Sequence, residues 1–174
     1  MGFTHAVVPL SVVQSEYSMM ERKWEADVLP LCRGLGIGFE AFSPMGNGFL
    51  SGKYSAADEF KGNDVRRVIT RFSKENMEKN APLLDLVASF AAAKGCTNAQ
   101  IALAWAMRYG DFVVPIPGMR KEERVIENLG AADIELSDAE YAAINDALAG
   151  IAIYGNRDGK DIKRLGTVPE NVDK

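Results

Sequence analysis

Three short stretches of this 174-residue sequence hold residues whose types and spacing could do chemistry. The most informative is Gly118-Met119-Arg120, followed by Lys121, Arg124, Glu127 and Asn128. Glycine lets the backbone approach a ligand closely, the free amides that open a helix favour an anion, and Arg120 and Arg124 offer planar forks to a phosphate. The same spacing suits a charged solvent face with i,i+4 pairs, and the sequence leaves both readings open. The second stretch runs from Ser43-Pro44-Met45-Gly46-Asn47-Gly48 to Lys53, and the third is Gln14-Ser15-Glu16-Tyr17. Tyr17 has Glu16 and Lys23 nearby in sequence, but a phenol with a pKa of about 10 needs a positioned cation to act at neutral pH, so packing is its expected role. His5, the single histidine, precedes all three stretches and is expected on the surface.

These stretches follow short apolar runs that read as strands: Ser11 to Gln14, Ile37 to Phe42 and Phe112 to Ile116. Ligands in α/β sheets and barrels meet the C-terminal ends of the strands, which is why the three stretches matter together. Amphipathic helical patterns separate the runs. Ser18-x-x-Glu21 resembles a capping box, with Trp24, Val28, Cys32 and Leu35 at helical spacing and Gly36 as a stop. Ser73 opens a helical pattern to Lys94 that Pro82 should kink or split. Thr97-x-x-Gln100 and Ser137-x-x-Glu140 open two more helices, and another spans about Lys121 to Leu129. From Asn47 to Arg71 few apolar positions recur, so a long loop with at most a short helix is expected there. Strands alternating with helices predict an α/β fold with a parallel sheet.

Length and composition agree with one domain over residues 1–150, followed by a polar tail over 151–174. A net charge of −4 argues against a nucleic-acid footprint or an anionic membrane surface. Two cysteines, Cys32 and Cys96, are too few for a disulfide framework or a metal site, which suits a reduced, cytoplasmic setting. No basic, apolar leader and no membrane span is legible.

The segments VVQSEYS (Val12 to Ser18), LPLCRGLGIGFEAFSPMGNGFLSGKY (Leu29 to Tyr54) and VVPIPGMRKEERVIENLGA (Val113 to Ala131) resemble the last three strand regions of aldo/keto reductases. RFSKENMEKN and TNAQIALAW fall between them in the family's order. The resemblance covers roughly residues 5 to 148 and implies a partial (β/α)8 TIM barrel holding about the last three β/α units. It also implies NADP(H), bound in an extended pose, and carbonyl or aldehyde reduction as the lineage's activity. Carried over by position, Gln14 meets the nicotinamide carboxamide and Phe42 takes the place of the aromatic ring, usually tyrosine, that stacks on the nicotinamide. Ser43, Met45, Gly46, Asn47 and Gly48 line the diphosphate, with Pro44 in the same turn. Gly118, Met119 and Arg120 approach the adenosine 2′-phosphate, and Arg124, Glu127 and Asn128 surround the adenine end. Met119 departs from the small hydroxyl residue common at its position.

The family's catalytic tyrosine, lysine, aspartate and histidine belong to earlier strands and have no counterpart in this sequence, so a chain weak or inactive alone is expected. Three strands would leave two sheet edges and one face uncovered. Self-association, or completion by another barrel fragment, is therefore expected, with an interaction module lacking nucleotide as the alternative.

Overall fold

A computed structural model of the chain describes residues 2–157. It begins with a short helix, α1 (Gly2–Val7), that the sequence pattern did not announce. His5 uses its Nδ1 to accept the Leu10 amide at 3.0 Å, so this half-buried side chain ties the helix to the approach of the first strand. Three strands follow in the chain, β1 (Val12–Glu16), β2 (Gly38–Phe42) and β3 (Val113–Ile116), and they pair side by side in parallel in that order. The first strand runs two residues beyond its apolar run because Ser15 and Glu16 still pair with Ala41 and Phe42.

The helix after β1 differs from its expected start. Ser18 and Glu21 form an antiparallel bridge, and the Ser18 hydroxyl accepts the Met20 amide at 3.1 Å, so both residues serve a tight turn. Ser18 is fully buried, where a local hydroxyl-to-backbone bond outcompetes a helix cap. After a 3-10 turn at Lys23–Glu25, α2 (Val28–Leu35) starts with the Asp27 carboxylate accepting the Val28 amide. Gly36 ends it as expected.

Beyond β2, 3-10 turns at Gly46–Ser51, Val65–Arg67 and Thr70–Phe72 organise the long loop. The pattern predicted to kink at Pro82 is two helices, α3 (Lys74–Lys79), capped by Ser73, and α4 (Ala81–Lys94), with Pro82 in its first turn where no intrahelical donor is lost. Helix α5 (Asn98–Met107) carries the Thr97–Gln100 capping box. Helix α6 (Glu122–Leu129) follows β3, and α7 (Asp138–Ala149) begins at the Ser137–Glu140 capping box.

Side chains alternate across the sheet. One face, with Phe39, Ala41 and Val113, is buried under the helical layer, where Trp105 of α5 stacks on Tyr17 at 5.2 Å. Each large side chain removed from water there contributes roughly 1.5–3 kcal/mol. The opposite face carries Val12, Gln14, Glu40 and Val114. Val12 is 48% exposed and Val114 53%. The apolar run at β3 suggested a strand covered on both sides; the described residues supply a layer for only one of them.

Residues 151–157 run back over the body. Asn80, fully buried, both donates to the Tyr154 carbonyl and accepts the Tyr154 amide. Thr70 Oγ1 accepts the Asn156 amide at 2.8 Å. Gly155 has φ 77°, and a Cβ there would lie 2.6 Å from the Arg71 backbone nitrogen, so only glycine fits. The rest of the expected tail, residues 158–174, lies outside the described residues.

Candidate functional site

The C-terminal ends of the three strands do converge on one rim. Two arginines from distant segments cap it. Arg71, 2% exposed, reaches the Glu16 carboxylate at 2.5 Å and the Glu21 carboxylate at 3.3 Å. Arg157 donates to Ser43 Oγ at 2.8 Å, and its guanidinium carbon lies 4.9 Å from the centre of the Phe42 ring. Cations over aromatic faces are attracted by the ring quadrupole. Neither arginine was singled out from sequence: Arg71 carried no local signal of its partner 55 residues away, and Arg157 none of a partner 114 away.

Phe42 and Ser43 open a tightly wound turn. Ser43, Gly46, Asn47 and Gly48 all have positive φ, at 49°, 56°, 59° and 96°. Non-glycine residues there are costly, so the turn is held by its surroundings. A Cβ on Gly46 would sit 2.7 Å from Met20 Sδ, so Met20 would have to shift to admit one, and the positive φ favours glycine besides. Asn47 Nδ2 donates to Ser43 Oγ at 3.3 Å, while Asn47 Oδ1 is buried with no partner among the described residues. Such an orphaned acceptor is costly unless a donor arrives.

One strand away, Gln14 projects from the open face and donates from Nε2 to the Glu40 carboxylate at 2.8 Å. Gln14 and Glu40 are direct partners in the β1–β2 register, and Phe42 follows Glu40 on the same face. Tyr17, by contrast, is fully buried on the helical side and donates its hydroxyl to Glu25 at 2.9 Å. Burial first, and the Glu25 charge second, push its phenol far above the ordinary tyrosine range. Tyr17 is a packing residue.

The Gly118–Asn128 stretch is differently placed. Gly118, Met119, Arg120 and Lys121 are exposed, and Asn128 is buried. Arg124 forms an ion pair with Glu127, so its fork is already engaged. Glu127 also takes Lys53 at 3.3 Å, which ties the turn after β2 to α6. Arg66 completes the neighbourhood. Its guanidinium stacks 4.2 Å over Tyr54 and 4.6 Å over Phe60, pairs with Asp64, and brings Nη1 to 4.0 Å from where a Gly48 Cβ would stand. The Arg66 hydrogen bond holds the Asp64 carboxyl below the usual range, and the charge of Arg120 adds to this, so Arg120 lies near the same loop. Lys53, Arg66, Arg120 and Arg124 thus gather at the loops around Gly48 and the start of α6 with the carboxylates Asp64 and Glu127 among them, an excess of positive charge that suits an anionic ligand. Of these, Arg66 was missed in sequence because its aromatic cage forms only when the long loop folds.

The family model for the aldo/keto reductase family matches residues 3–149. The chain belongs to the aldo/keto reductase family. It is similar to a probable aldo-keto reductase 1 of Glycine max, 36% identical over 172 residues, covering 96% of this chain and 49% of that protein. Among solved structures it is similar to a glycerol dehydrogenase from Gluconobacter oxydans, 27% identical with a TM-score of 0.76, covering 91% of this chain and 48% of the other. An aldo/keto reductase from Klebsiella pneumoniae, solved in complex with NADP and acetate, is 26% identical with a TM-score of 0.54, covering 78% of this chain and 38% of the other. The chain therefore spans about half the length of the relatives it matches. Its parallel three-stranded sheet, helices on one face, is part of the family's barrel. Among the described residues, no helix is long and apolar enough to cross a membrane.

Proposed function

We propose that this oxidoreductase-family chain is the nucleotide-holding part of an NADP(H)-dependent carbonyl reductase, with little turnover of its own. The observation that carries the reading is the turn after β2: a strained, glycine-dependent loop with an orphaned acceptor on Asn47 and Lys53, Arg66 and Arg120 around it. That donor set fits a dinucleotide, whose diphosphate wants cations and whose ribose hydroxyls want an acceptor. The Klebsiella relative, solved with NADP, supports the same cofactor class.

In this reading Gln14 meets the nicotinamide carboxamide and Phe42 the nicotinamide ring. Residues Ser43 to Gly48 line the diphosphate; Gly118, Met119 and Arg120 approach the 2′-phosphate, with Arg124, Glu127 and Asn128 around the adenine. Arg157 now covers Phe42 and Ser43, so stacking of the ring requires that guanidinium to turn aside. When bound, the dinucleotide supplies hydride to a small carbonyl compound. The groups that would move a proton to the carbonyl oxygen come from elsewhere, since Tyr17 is buried and held protonated. Those groups are to be supplied by a complementing barrel fragment, since self-association would cover the open face but bring only the same residues again, in a cytoplasmic setting where Cys32 and Cys96 stay reduced.

Titration with NADPH, read by quenching of Trp24 and Trp105 and by thermal shift, tests the reading. Stabilisation at micromolar to millimolar NADPH is expected; none at millimolar concentration overturns it. The exposed apolar face favours a second reading, an interaction module without nucleotide, and that negative result together with self-association would select it.

A further inference from the structure

Glu40 sits mid-strand on the open face, directly opposite Gln14 in the β1–β2 register, and its Oε2 accepts Gln14 Nε2 at 2.8 Å. An ionised carboxylate can only accept hydrogen bonds, whereas a glutamine amide offers a donor on one side and an acceptor on the other. The neighbour therefore decides which way the amide faces: nitrogen toward Glu40, Oε1 toward whatever else approaches.

We infer that Glu40 is a positioning residue that locks the Gln14 amide, so that Oε1 is presented to the N–H of a primary carboxamide and the site selects ligands carrying one. This rests on the cofactor reading above, in which Gln14 meets the nicotinamide. Without Glu40 the amide turns freely and Nε2 can donate to a carbonyl oxygen, a group that a methyl ketone offers as well. Gln14 is exposed in the chain alone, so it is the bound ligand that shuts Oε1 off from water; with Glu40 in place, one lacking the carboxamide N–H leaves that oxygen covered and unpaired, which carries the larger penalty. Phe42, two residues along the same face, sets the ring beside that contact.

The test uses the full chain and three probes: NADP+, its 3-acetylpyridine analogue, which has a methyl ketone in place of the carboxamide, and 2′,5′-ADP, which has no nicotinamide end. The wild-type chain is expected to bind NADP+ about tenfold tighter than the analogue, the worth of one hydrogen bond with its unpaired partner. In Glu40→Gln and Glu40→Ala that ratio is expected to fall to about twofold or less, with 2′,5′-ADP affinity unchanged. A ratio that persists in both variants overturns the inference alone, as does a wild-type chain that binds NADP+ and the analogue equally. Loss of 2′,5′-ADP binding in both variants reduces Glu40 to a structural residue and also overturns it. Failure of the wild-type chain to bind NADP+ and 2′,5′-ADP removes the cofactor reading, and this inference with it.

Discussion

The two faces of the sheet belong to the same three strands and yet have opposite fates. On the helical side Phe39 and Ala41 are fully buried, with Leu29, Ile101 and Trp105 closed over them. On the other side Val12, Val114 and Ile116 remain substantially exposed, and elsewhere Val7, Val8, Ile126 and Leu129 are exposed as well. Among the described residues only the C-terminal rim of the open face is covered, by Arg71 on Glu16 and Arg157 on Phe42. The contrast teaches that one layer of this barrel segment is complete in itself. The apolar side chains left over point to the side that a complete barrel fills with residues of its other strands, and exposed apolar surface of this kind favours an interaction.

The largest expected break in this comparison is on the buried face. Phe39→Ala should cost about 3–5 kcal/mol in urea denaturation, the usual penalty for a cavity in a packed core. Val114→Ala, one register step away on the open face, should stay within about 0.5 kcal/mol. Equal losses at the two positions would show that the open face is covered in solution. Next comes Arg71→Ala, which strands the Glu16 carboxylate in a buried setting and should cost about 3 kcal/mol. Arg71→Lys should recover only part, because one ammonium cannot span Glu16, Glu21 and the Met20 carbonyl.

A smaller effect sharpens the rim. Arg157→Ala frees the Phe42 face and Ser43 Oγ, and should tighten NADP+ by about tenfold while leaving 2′,5′-ADP unchanged, the combined worth of a cation–π contact and a hydrogen bond. Weaker NADP+ binding in isothermal titration would make Arg157 a cofactor ligand instead. The smallest effect is one of pH, on the helical layer. A hydrogen bond from Lys94, then those from Ser137, push Glu140 down to about 2. A lowered folded-state pKa gives stability that is present above the ordinary glutamate value near 4.5 and is lost as pH falls towards 2. Glu140→Gln should flatten the pH dependence of the melting temperature in that window and leave the contrast between the two faces unchanged.

Much of the architecture was legible because its determinants are local. Ser73, Thr97 and Ser137 each accept the amide three residues on, and Gly36 and Gly95 close the helices they follow, all within a turn of chain. The same locality misled at Ser18, where the capping pattern is present but full burial turns the hydroxyl to a tight turn. For the site, the ordered strand-end motifs supplied the family, and with it the assignments from Gln14 to Gly48 and from Gly118 to Asn128 on which the proposed function rests. They did not supply Arg66, Arg71, Arg157 or the pairing of Glu40 with Gln14.

The sequence by itself determined the alternation of strands and helices, the caps and stops, and the lineage, since periodicity, capping and motif order act over a few residues. Only the tertiary structure decided which face of the sheet is closed, which arginines reach the rim, and which way the Gln14 amide is turned. Those depend on contacts between residues 26 to 114 positions apart, and nothing in the chemistry of one segment names its distant partner.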